Sequence, residues 1–152
     1  DTTITVPVDT NNKPNNTNTS QGKSEAIKDI QRTLNSKYAT KVSVDGYDGP
    51  KTRSAIIKGL QTELNKQFKA GINVDGLWGP KTRAAIATIK NGARGNLTWI
   101  LQALLFLNGY SVGKLDSIFG DATLKAVKAF QKSEGLTADG LAGKGTIEKL
   151  IK

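Results

Sequence analysis

One short sequence frame recurs four times in this chain, and this repetition limits the possible folds more than any other feature. The frame reads Asp-[Gly/Ser]-x-x-Gly-x-x-Thr, and apolar residues follow three or four positions after the threonine. Recurrence of a frame indicates a recurring supersecondary unit, whose copies adopt the same turn and pack on their neighbours. The four copies begin at Asp45, Asp75, Asp116 and Asp139.

Each frame predicts a turn that leads into a helix. Asp-Gly is typical of tight turns because glycine accepts a positive φ, and the aspartate can hydrogen-bond its own backbone. The four aspartates could also be read as catalytic carboxylates, but four copies of one turn favour the structural role. We expect the threonine of each frame to be the N-cap of the following helix; these residues are Thr52, Thr82, Thr123 and Thr146.

The distances between the copies divide the chain into two modules. Successive copies begin 30, 41 and 23 residues apart, so that the first two and the last two form pairs. An amphipathic helical stretch precedes each pair, with Ile27, Ile30 and Leu34 on one face of the first. The predicted fold class is mainly α, with two tandem three-helix modules that pack on each other. They cover residues 24–91 and 92–152, and the central helix of the first is the longer one.

The first helix of the second module, predicted at residues 97–110, is apolar nearly all round. Leu101 and Leu105 lie on one face, and Trp99 and Phe106 lie on another. A helix that is apolar on two sides is buried on both. We therefore expect the second face to pack on the first module. The alternative is an exposed ligand-binding or dimer surface.

Residues 1–23 are rich in Thr, Asn and Pro and contain few apolar side chains. Such a segment cannot bury enough surface to offset the entropy lost on ordering. The composition predicts a flexible linker, with a disordered tail as the alternative. Because the chain opens at Asp1 and not at Met, we expect it to be a fragment with a further domain upstream.

The composition excludes several classes of site. The chain has no Cys, no His and no Met, which rules out disulfides, thiol nucleophiles, Ser-His-Asp triads and histidine-zinc sites. Acid–base chemistry would depend on carboxylates, Tyr or Lys. We expect no metal and no cofactor. No apolar run reaches the length of about 18 residues that spans a membrane.

The charge balance points to an anionic partner. There are 22 Lys and Arg against 13 Asp and Glu, a net charge of +9. Cell-wall polymers, nucleic acid and membrane surfaces are all compatible with this charge. The excess is uneven, because residues 24–90 carry 12 basic and 6 acidic side chains and residues 91–152 carry 8 and 5.

Certain residue types follow one order in both modules, and the order is nearly complete in the second. In the second module they are Leu101-Gln102, Gly109-Tyr110, Leu115-Asp116, Phe119-Gly120, Thr123, Ala126-Val127, Phe130-Gln131, Gly135-Leu136, Asp139-Gly140, Gly143, Thr146 and Leu150. In the first they are Ile30-Gln31, Val44-Asp45-Gly46, Gly49, Thr52, Ala55-Ile56, Leu60-Gln61, Val74-Asp75-Gly76, Trp78-Gly79 and Thr82. This pattern resembles the peptidoglycan-binding family called PG-binding 1. The first module departs from it at Asp48, where the family has Phe, and in its longer central helix.

The resemblance implies a non-catalytic three-helix module that tethers a peptidoglycan hydrolase to the bacterial wall, on its extracellular side. Tandem copies behind a Thr/Asn-rich segment are similar to the C-terminal targeting half of a phage endolysin or a bacterial autolysin, phage-encoded or secreted. The implied partners are peptidoglycan, through its glycan strand or its stem peptide, and an upstream catalytic domain. Anionic wall polymers are a further expected partner.

Ten residues in the turns and at the helix starts are candidates for ligand binding. An exposed tyrosine in a turn could stack on a sugar ring, and the repeated Lys-Thr-Arg at two helix starts could form an anion site. Trp78 and Phe119 share one frame position, for which core packing is the alternative. The candidates are Tyr47, Asp48, Lys51, Arg53, Trp78, Lys81, Arg83, Tyr110, Asp116 and Phe119.

Two other functions are compatible with parts of the sequence. A basic helical protein could bind nucleic acid, although its basic residues are spread over several helices and are not gathered on one recognition helix. A glycosidase that uses only carboxylates is conceivable. Modules of about 60 residues rarely enclose the substrate-sized cavity that such an enzyme needs.

Overall fold

The computed structural model describes residues 4–5 and 17–152, with side chains from residue 23 onward. Two short strands, β1 and β2, pair in antiparallel fashion, with Ile4 opposite Leu115. The mainly helical class predicted from the sequence is confirmed. The elements in chain order are β1 (Ile4–Thr5), α1 (Thr17–Tyr38), α2 (Pro50–Phe68), α3 (Pro80–Ala85), α4 (Asn96–Leu107), β2 (Lys114–Leu115), α5 (Asp121–Ser133) and α6 (Lys144–Ile151).

The central helix of the first module is the longer one, as the spacing predicts. α2 has 19 residues and α5 has 13. α2 and α3 each begin with a proline, Pro50 or Pro80. Proline suits this position because its fixed φ is already helical and the first N–H of a helix has no partner within the helix.

The prediction that threonines cap these helices is wrong. The N-cap residues are the glycines of the frame, Gly49, Gly79, Gly120 and Gly143, and none has a side-chain cap. Each threonine lies three residues later, in the first helical turn, and is buried. Its hydroxyl is directed to a partner from the preceding helix, which local sequence does not reveal.

The prediction of a flexible linker over residues 1–23 needs correction where the structure describes them. Residues 17–23 are the first turns of α1, and residues 4–5 form β1. Once a helix is nucleated, each added residue gains a hydrogen bond at low cost. The amphipathic stretch from Ala26 therefore extends back into the polar segment. The remainder of the predicted linker, residues 1–3 and 6–16, lies outside the described residues.

One hydrophobic core runs through both modules. α4 lies at its centre and packs on α2 of the first module and on α5 and α6 of the second. Trp99 has an exposed fraction of 0%, and Ala103 and Phe106 are also buried. The contact of α4 with α2 and of Trp99 with Lys37 of α1 supports the prediction that the second apolar face packs on the first module, except at Tyr110, which packs on Phe130 of the second.

A buried polar network links the modules at the start of α4. Glu63 of α2, only 2% exposed, accepts hydrogen bonds from Tyr38 Oη at 2.8 Å, Gln67 Nε2 at 2.8 Å and Asn96 Nδ2 at 2.9 Å. The Asn96 side chain in turn accepts from Lys37 Nζ at 2.6 Å. The carboxylate thus joins α1 and α2 to the first turn of α4.

The ionisation of this network follows from its contacts. Burial raises the pKa of Glu63, but the hydrogen bonds from Gln67, Tyr38 and Asn96 outweigh it, so that its pKa lies below the ordinary value. Burial, together with the bond to Glu63, raises the pKa of Tyr38. Glu63 is therefore ionised and Tyr38 is protonated at neutral pH, which is the state that their hydrogen bond requires.

A second contact joins the modules at α6. Ile89 and Ala142 form an antiparallel bridge, in which each N–H donates to the other's carbonyl oxygen. The Arg53 guanidinium donates to the carbonyl oxygens of Leu150 at 3.0 Å and Leu107 at 3.5 Å. Cations stabilise the C-terminal ends of helices, and one arginine reaches the ends of both α4 and α6.

No helix in the described part of the chain is long and apolar enough to cross a membrane.

The burial of Trp99 gives a spectroscopic test. In a Trp78→Phe variant, Trp99 is the only tryptophan, and we expect acrylamide to quench its fluorescence weakly. The converse variant, Trp99→Phe, reports the half-buried Trp78 and should be quenched several-fold more strongly. Quenching of Trp99 as strong as that of a free tryptophan derivative would contradict the packing of α4 on α2.

Candidate functional site

Each of the four turns is built around a buried glutamine side chain. We number the turns by their residues: turn 1 is 44–49, turn 2 is 74–79, turn 3 is 115–120 and turn 4 is 138–143. In each, the glutamine Nε2 donates to the turn aspartate, to a turn carbonyl oxygen and to the buried threonine. Its Oε1 accepts a backbone N–H of the turn. The glutamines are Gln31, Gln61, Gln102 and Gln131.

Turn 1 shows the geometry in detail. Gln31 Nε2 lies 2.9 Å from Asp45 Oδ1, 3.2 Å from the Tyr47 carbonyl oxygen and 3.0 Å from Thr52 Oγ1. Its Oε1 accepts from the Gly46 N–H at 2.9 Å. Both the donor and the acceptor groups of the buried amide are therefore satisfied by the turn, which satisfies the requirement that buried polar groups be paired.

The sequence carries a signal for these glutamines that a search for local caps misses. In the first three units the aspartate follows the glutamine by 14 residues and the threonine follows it by 21. In the fourth unit these intervals are 8 and 15. A buried glutamine at a fixed interval before a repeated Asp and Thr is the pattern that would have identified the partner of the threonine.

The aspartates serve the turns and not catalysis. Asp45 Oδ1 accepts the Tyr47 N–H at 2.9 Å. This bond, together with that from Gln31, lowers the pKa of Asp45. The N–H of Leu77 and the amide of Gln61 lower the pKa of Asp75 in the same way. Carboxylates held ionised by turn donors are structural acceptors.

The second residue after each aspartate is held rigidly with its side chain outward. Its N–H is bonded to the aspartate and its carbonyl oxygen accepts from the glutamine, as at Tyr47 and Leu77. Tyr47 is nevertheless 69% exposed and Leu77 66% exposed. Ile118 and Leu141 have the same place in turns 3 and 4 and are also exposed.

The exposed apolar surface is concentrated in these turns. Seven large hydrophobic side chains are exposed in residues 23–152, and six of them lie one residue before or two residues after a turn aspartate. Phe68 at the end of α2 is the exception. Apolar side chains that are held in water at repeated positions indicate a recognition surface. The six are Val44, Tyr47, Val74, Leu77, Ile118 and Leu141.

The structure supports exposure of Tyr47 but assigns its neighbour Asp48 a structural contact. Asp48 and Arg53 form a two-pronged ion pair, with Nε–Oδ1 at 2.8 Å and Nη2–Oδ2 at 2.9 Å. The same guanidinium binds the ends of α4 and α6. The predicted anion site therefore lacks Arg53, because a carboxylate and two carbonyl oxygens already occupy its donors.

Trp78 and Arg83 are also engaged at the contact between modules. Trp78 is half-buried, and its Nε1 donates to Glu148 Oε2 at 3.1 Å. Arg83 Nε donates to Glu148 Oε1 at 3.1 Å. The bonds from Trp78 and Arg83, aided by Lys152, lower the pKa of Glu148 to about 2. Arg83 thus pairs with Glu148 through Nε alone, and its side chain stays 44% exposed.

The three candidates of the second module are less available than expected. Phe119 is 1% exposed and lies in the core, so it offers no surface to a ligand. Tyr110 is half-buried and packs edge-on against Phe130 at 5.4 Å. Asp116 is bonded to Gln102 and to the Ile118 N–H. Core packing, the alternative to ligand binding, applies in full to Phe119.

Lys51 and Lys81 are exposed in the first turns of α2 and α3. Together with Tyr47 and Arg83 they form the part of the candidate set that is exposed. No group of three His, Cys, Asp or Glu residues in the described segments could hold a metal ion. The site can offer apolar contact and positive charge, which suits binding to a saccharide or peptide surface bearing carboxylates.

Comparison with known families shows which family this chain belongs to. Residues 23–86 and 94–150 each match the peptidoglycan binding domain family PG-binding 1. The chain belongs to this family. It is a non-catalytic peptidoglycan-binding tandem, and nothing in the comparison supports the nucleic-acid alternative. Residues 87–93 fall between the two matches, and the predicted module boundary at 91/92 stays a prediction.

Relatives of this chain include spore cortex-lytic enzymes of three bacteria. The enzyme of Bacillus cereus is 44% identical over 64 residues, which are 42% of this chain and 25% of the enzyme. That of Oceanobacillus iheyensis is 42% identical over 64 residues, 42% of this chain and 23% of the enzyme. That of Bacillus subtilis is 45% identical over 64 residues, which are 41% of this chain and 21% of the enzyme. The matched part is therefore about a quarter of each relative.

Two solved structures are also similar in sequence. The crystal structure of the SleB N-terminal domain is 42% identical, with 43% of this chain and 89% of that chain covered and a TM-score of 0.42. A peptidoglycan-binding protein from Clostridioides difficile, in complex with glutamine hydroxamate, is 44% identical. The match covers 42% of this chain and 40% of that chain, with a TM-score of 0.41.

The glutamine network gives a stability prediction. Gln102→Ala removes an amide that satisfies Asp116, Thr123 and two backbone groups of turn 3. We expect the free energy of unfolding to fall by about 2–4 kcal/mol, since buried partners are left unpaired. Urea unfolding followed by circular dichroism measures this. Lys125→Ala, an exposed change on α5, should cost less than about 0.5 kcal/mol, and an equal loss in both variants would contradict the network's role.

The ion pairs of Glu148 predict a pH dependence of stability. Because the pKa of Glu148 is depressed to about 2 in the folded chain, its contribution is fully present above its ordinary pKa near 4.5. That contribution is lost as the pH falls from there towards 2. The difference in unfolding free energy between wild type and Glu148→Gln should shrink over this range.

Glu134→Gln is the matched control, because this exposed carboxylate makes no ion pair with any described residue. A Glu148→Gln difference that stays constant from pH 6 to pH 2 would show that the contact between α3 and α6 does not depend on the charge of Glu148.

Proposed function

We propose that this chain holds a peptidoglycan hydrolase, part of the same polypeptide, on the peptidoglycan of a bacterial wall. The family supplies peptidoglycan as the ligand. The relatives, which are named as lytic enzymes, support a hydrolase as the attached domain. We place that domain upstream of the tandem, beyond the Thr/Asn-rich residues 1–16.

The observation that carries this proposal is the set of apolar side chains held in water on rigid turns. Their backbone groups are bonded to buried glutamines and aspartates, so the side chains meet a ligand without losing backbone entropy at that moment. Tyr47 offers a ring for the apolar face of a sugar. The lysines nearby, such as Lys51, offer charge to carboxylates of the ligand.

The source of the parent enzyme has two candidates. The sequence pattern suggests a phage endolysin or a bacterial autolysin. Spore cortex-lytic enzymes are lytic enzymes of the bacteria themselves, and this similarity favours the bacterial origin. In either case the chain acts on the wall, on the extracellular side of the membrane.

Anionic wall polymers are a second, weaker partner in this proposal. The net charge of +9 attracts polyanions over roughly a Debye length, about 8 Å at physiological salt. Lys51 and Lys81 are exposed and carry part of this charge. Such attraction raises the local concentration of the chain at the wall and weakens as salt is added.

Co-sedimentation with purified sacculi tests the proposal. We expect the chain to pellet with peptidoglycan stripped of anionic polymers, both at low and at high salt. Sacculi that keep those polymers should bind more of it at low salt only, and Lys51→Ala with Lys81→Ala should reduce that extra part. No reducing ends should appear during the incubation.

Failure to pellet with stripped sacculi from several bacterial species would overturn the proposed function. Release of reducing ends by the purified chain would revive the carboxylate-only glycosidase. Equal binding to stripped and unstripped sacculi at low salt would remove the anionic polymers from the list of partners while leaving peptidoglycan in place.

A further inference from the structure

The two turns of the first module expose apolar side chains at the same two positions. Val44 and Tyr47 are exposed in turn 1, and Val74 and Leu77 are exposed at the equivalent positions of turn 2. Each turn therefore holds two apolar side chains in water, three residues apart. Only Tyr47 is recognised from sequence as a candidate, because the other three are ordinary aliphatic residues.

A lysine lies against each of these turns. The Lys28 side chain crosses Gly46, where a Cβ would come within 3.4 Å of Lys28 Cε. Lys58 crosses Gly76 in the same way, at 3.2 Å. Lysine stems can cover apolar surface while the ammonium group remains in water. Each of the two turns thus combines two exposed apolar side chains with a lysine, and Lys28 also forms an exposed ion pair with Glu25 at 3.3 Å.

The supporting framework is also equivalent. Asn35 bonds both the N–H and the carbonyl oxygen of Val42, at 2.8 and 2.9 Å. Asn65 bonds Ile72 in the same two ways, accepting its N–H at 2.9 Å and donating to its carbonyl oxygen at 2.8 Å. Each asparagine lies four residues after the glutamine of its unit. The loops before turns 1 and 2 are therefore held by matching amides, in addition to the glutamine networks.

The two turns lie along the same half of α2. Gly49, at the end of turn 1, is the N-cap of α2. Gly76 of turn 2 lies against Ser54 and Lys58 of the same helix, five and nine residues later. At 1.5 Å per residue, the positions of α2 that contact turn 2 lie roughly 8–14 Å along the helix axis from Gly49 at the end of turn 1. A polymer with a repeat of that order could contact both turns at once.

We propose that turns 1 and 2 are two equivalent subsites for successive units of one peptidoglycan glycan strand. This inference rests on the proposed function and adds its binding mode. Each subsite would take the apolar face of a sugar on Tyr47 or Leu77. Lys28 or Lys58 would pair with a carboxylate of the attached peptide. The ligand class is a saccharide with regularly spaced anionic substituents.

The turns of the second module do not repeat this surface. In turn 3 the residue before the aspartate, Leu115, is buried, and the buried Trp99 takes the place of the lysine. Turn 4 keeps a lysine, because a Cβ on Gly140 would lie 3.2 Å from Lys128 Cε, but the residue before its aspartate is the small Ala138. Turns 3 and 4 each keep one exposed apolar side chain, Ile118 or Leu141. Phe68→Ala is therefore the control, because Phe68 is an exposed apolar side chain at the end of α2 that belongs to none of the four turns.

The test measures binding of soluble glycan-peptide fragments with one, two and three disaccharide-peptide units, by calorimetry, with sacculus pelleting alongside. We expect wild type to bind the longer fragments at least about tenfold more tightly than the single unit, since the second contact is intramolecular. Tyr47→Ala and Leu77→Ala should each remove that gain, and the double variant should lose sacculus binding. Phe68→Ala should behave as wild type.

The outcomes separate this inference from the proposed function. If wild type fails to pellet with sacculi, the proposed function is wrong. If wild type pellets but longer fragments bind no better than one unit, the pair of subsites is wrong while peptidoglycan binding stands. Loss of binding in Phe68→Ala equal to that in Leu77→Ala would likewise overturn it. Circular dichroism and urea midpoints confirm that all variants are folded.

Discussion

The rest of the structure depends on the hydrogen bonding of four buried glutamine amides. A buried amide without partners would cost about 1–3 kcal/mol, and each glutamine avoids this only when a turn closes over it. Because the glutamine lies on the preceding helix and its partners lie in the turn and the next helix, one side chain fixes three elements at once. The network of Gln31, for instance, joins α1 to turn 1 through Asp45 and to α2 through Thr52. The outward position of Tyr47 follows directly, since its own backbone groups are part of the same network.

Features that depend on neighbouring residues could be predicted from the sequence, and features that depend on distant ones could not. The turns and the mainly helical class follow from local spacing, and the burial of Trp99 follows from the two apolar faces of α4. The threonine caps were wrong because a threonine near a helix start was assigned a backbone partner within its own turn. Its actual partner, as for Thr52, is a glutamine 21 residues earlier. Two contacts of Arg53 and Arg83 could not be predicted for a similar reason, since Leu150 and Glu148 lie 97 and 65 residues away.

The turns of the two modules differ at one frame position, and this difference accounts for how the modules contact each other. The position that holds Phe119 in turn 3 is buried in the core of the second module. In turns 1 and 2 the same position holds Asp48 and Trp78, and both are directed to the contact with α6, through Arg53 and Glu148. A residue type that fills a single module's core has thus been replaced by polar or amphipathic ones where two modules join. The departure of Asp48 from the family pattern is therefore explained by the contact between modules and does not remove the exposed surface of turn 1.

The contact between the modules also limits how they can move relative to each other. Glu63 is buried and ionised, and Asn96 of the second module is one of its three hydrogen-bond donors. Separating the modules would leave this carboxylate short of a partner, and breaking a buried charged contact in this way is costly. The modules therefore keep one relative orientation. Turns 1 and 2 both contact elements of the first module, so their separation is set within that module, and in the proposed binding mode a polymer that contacts turn 1 reaches turn 2 intramolecularly. In that mode the second module, whose turns expose fewer apolar side chains, would contribute by packing α4 on α2.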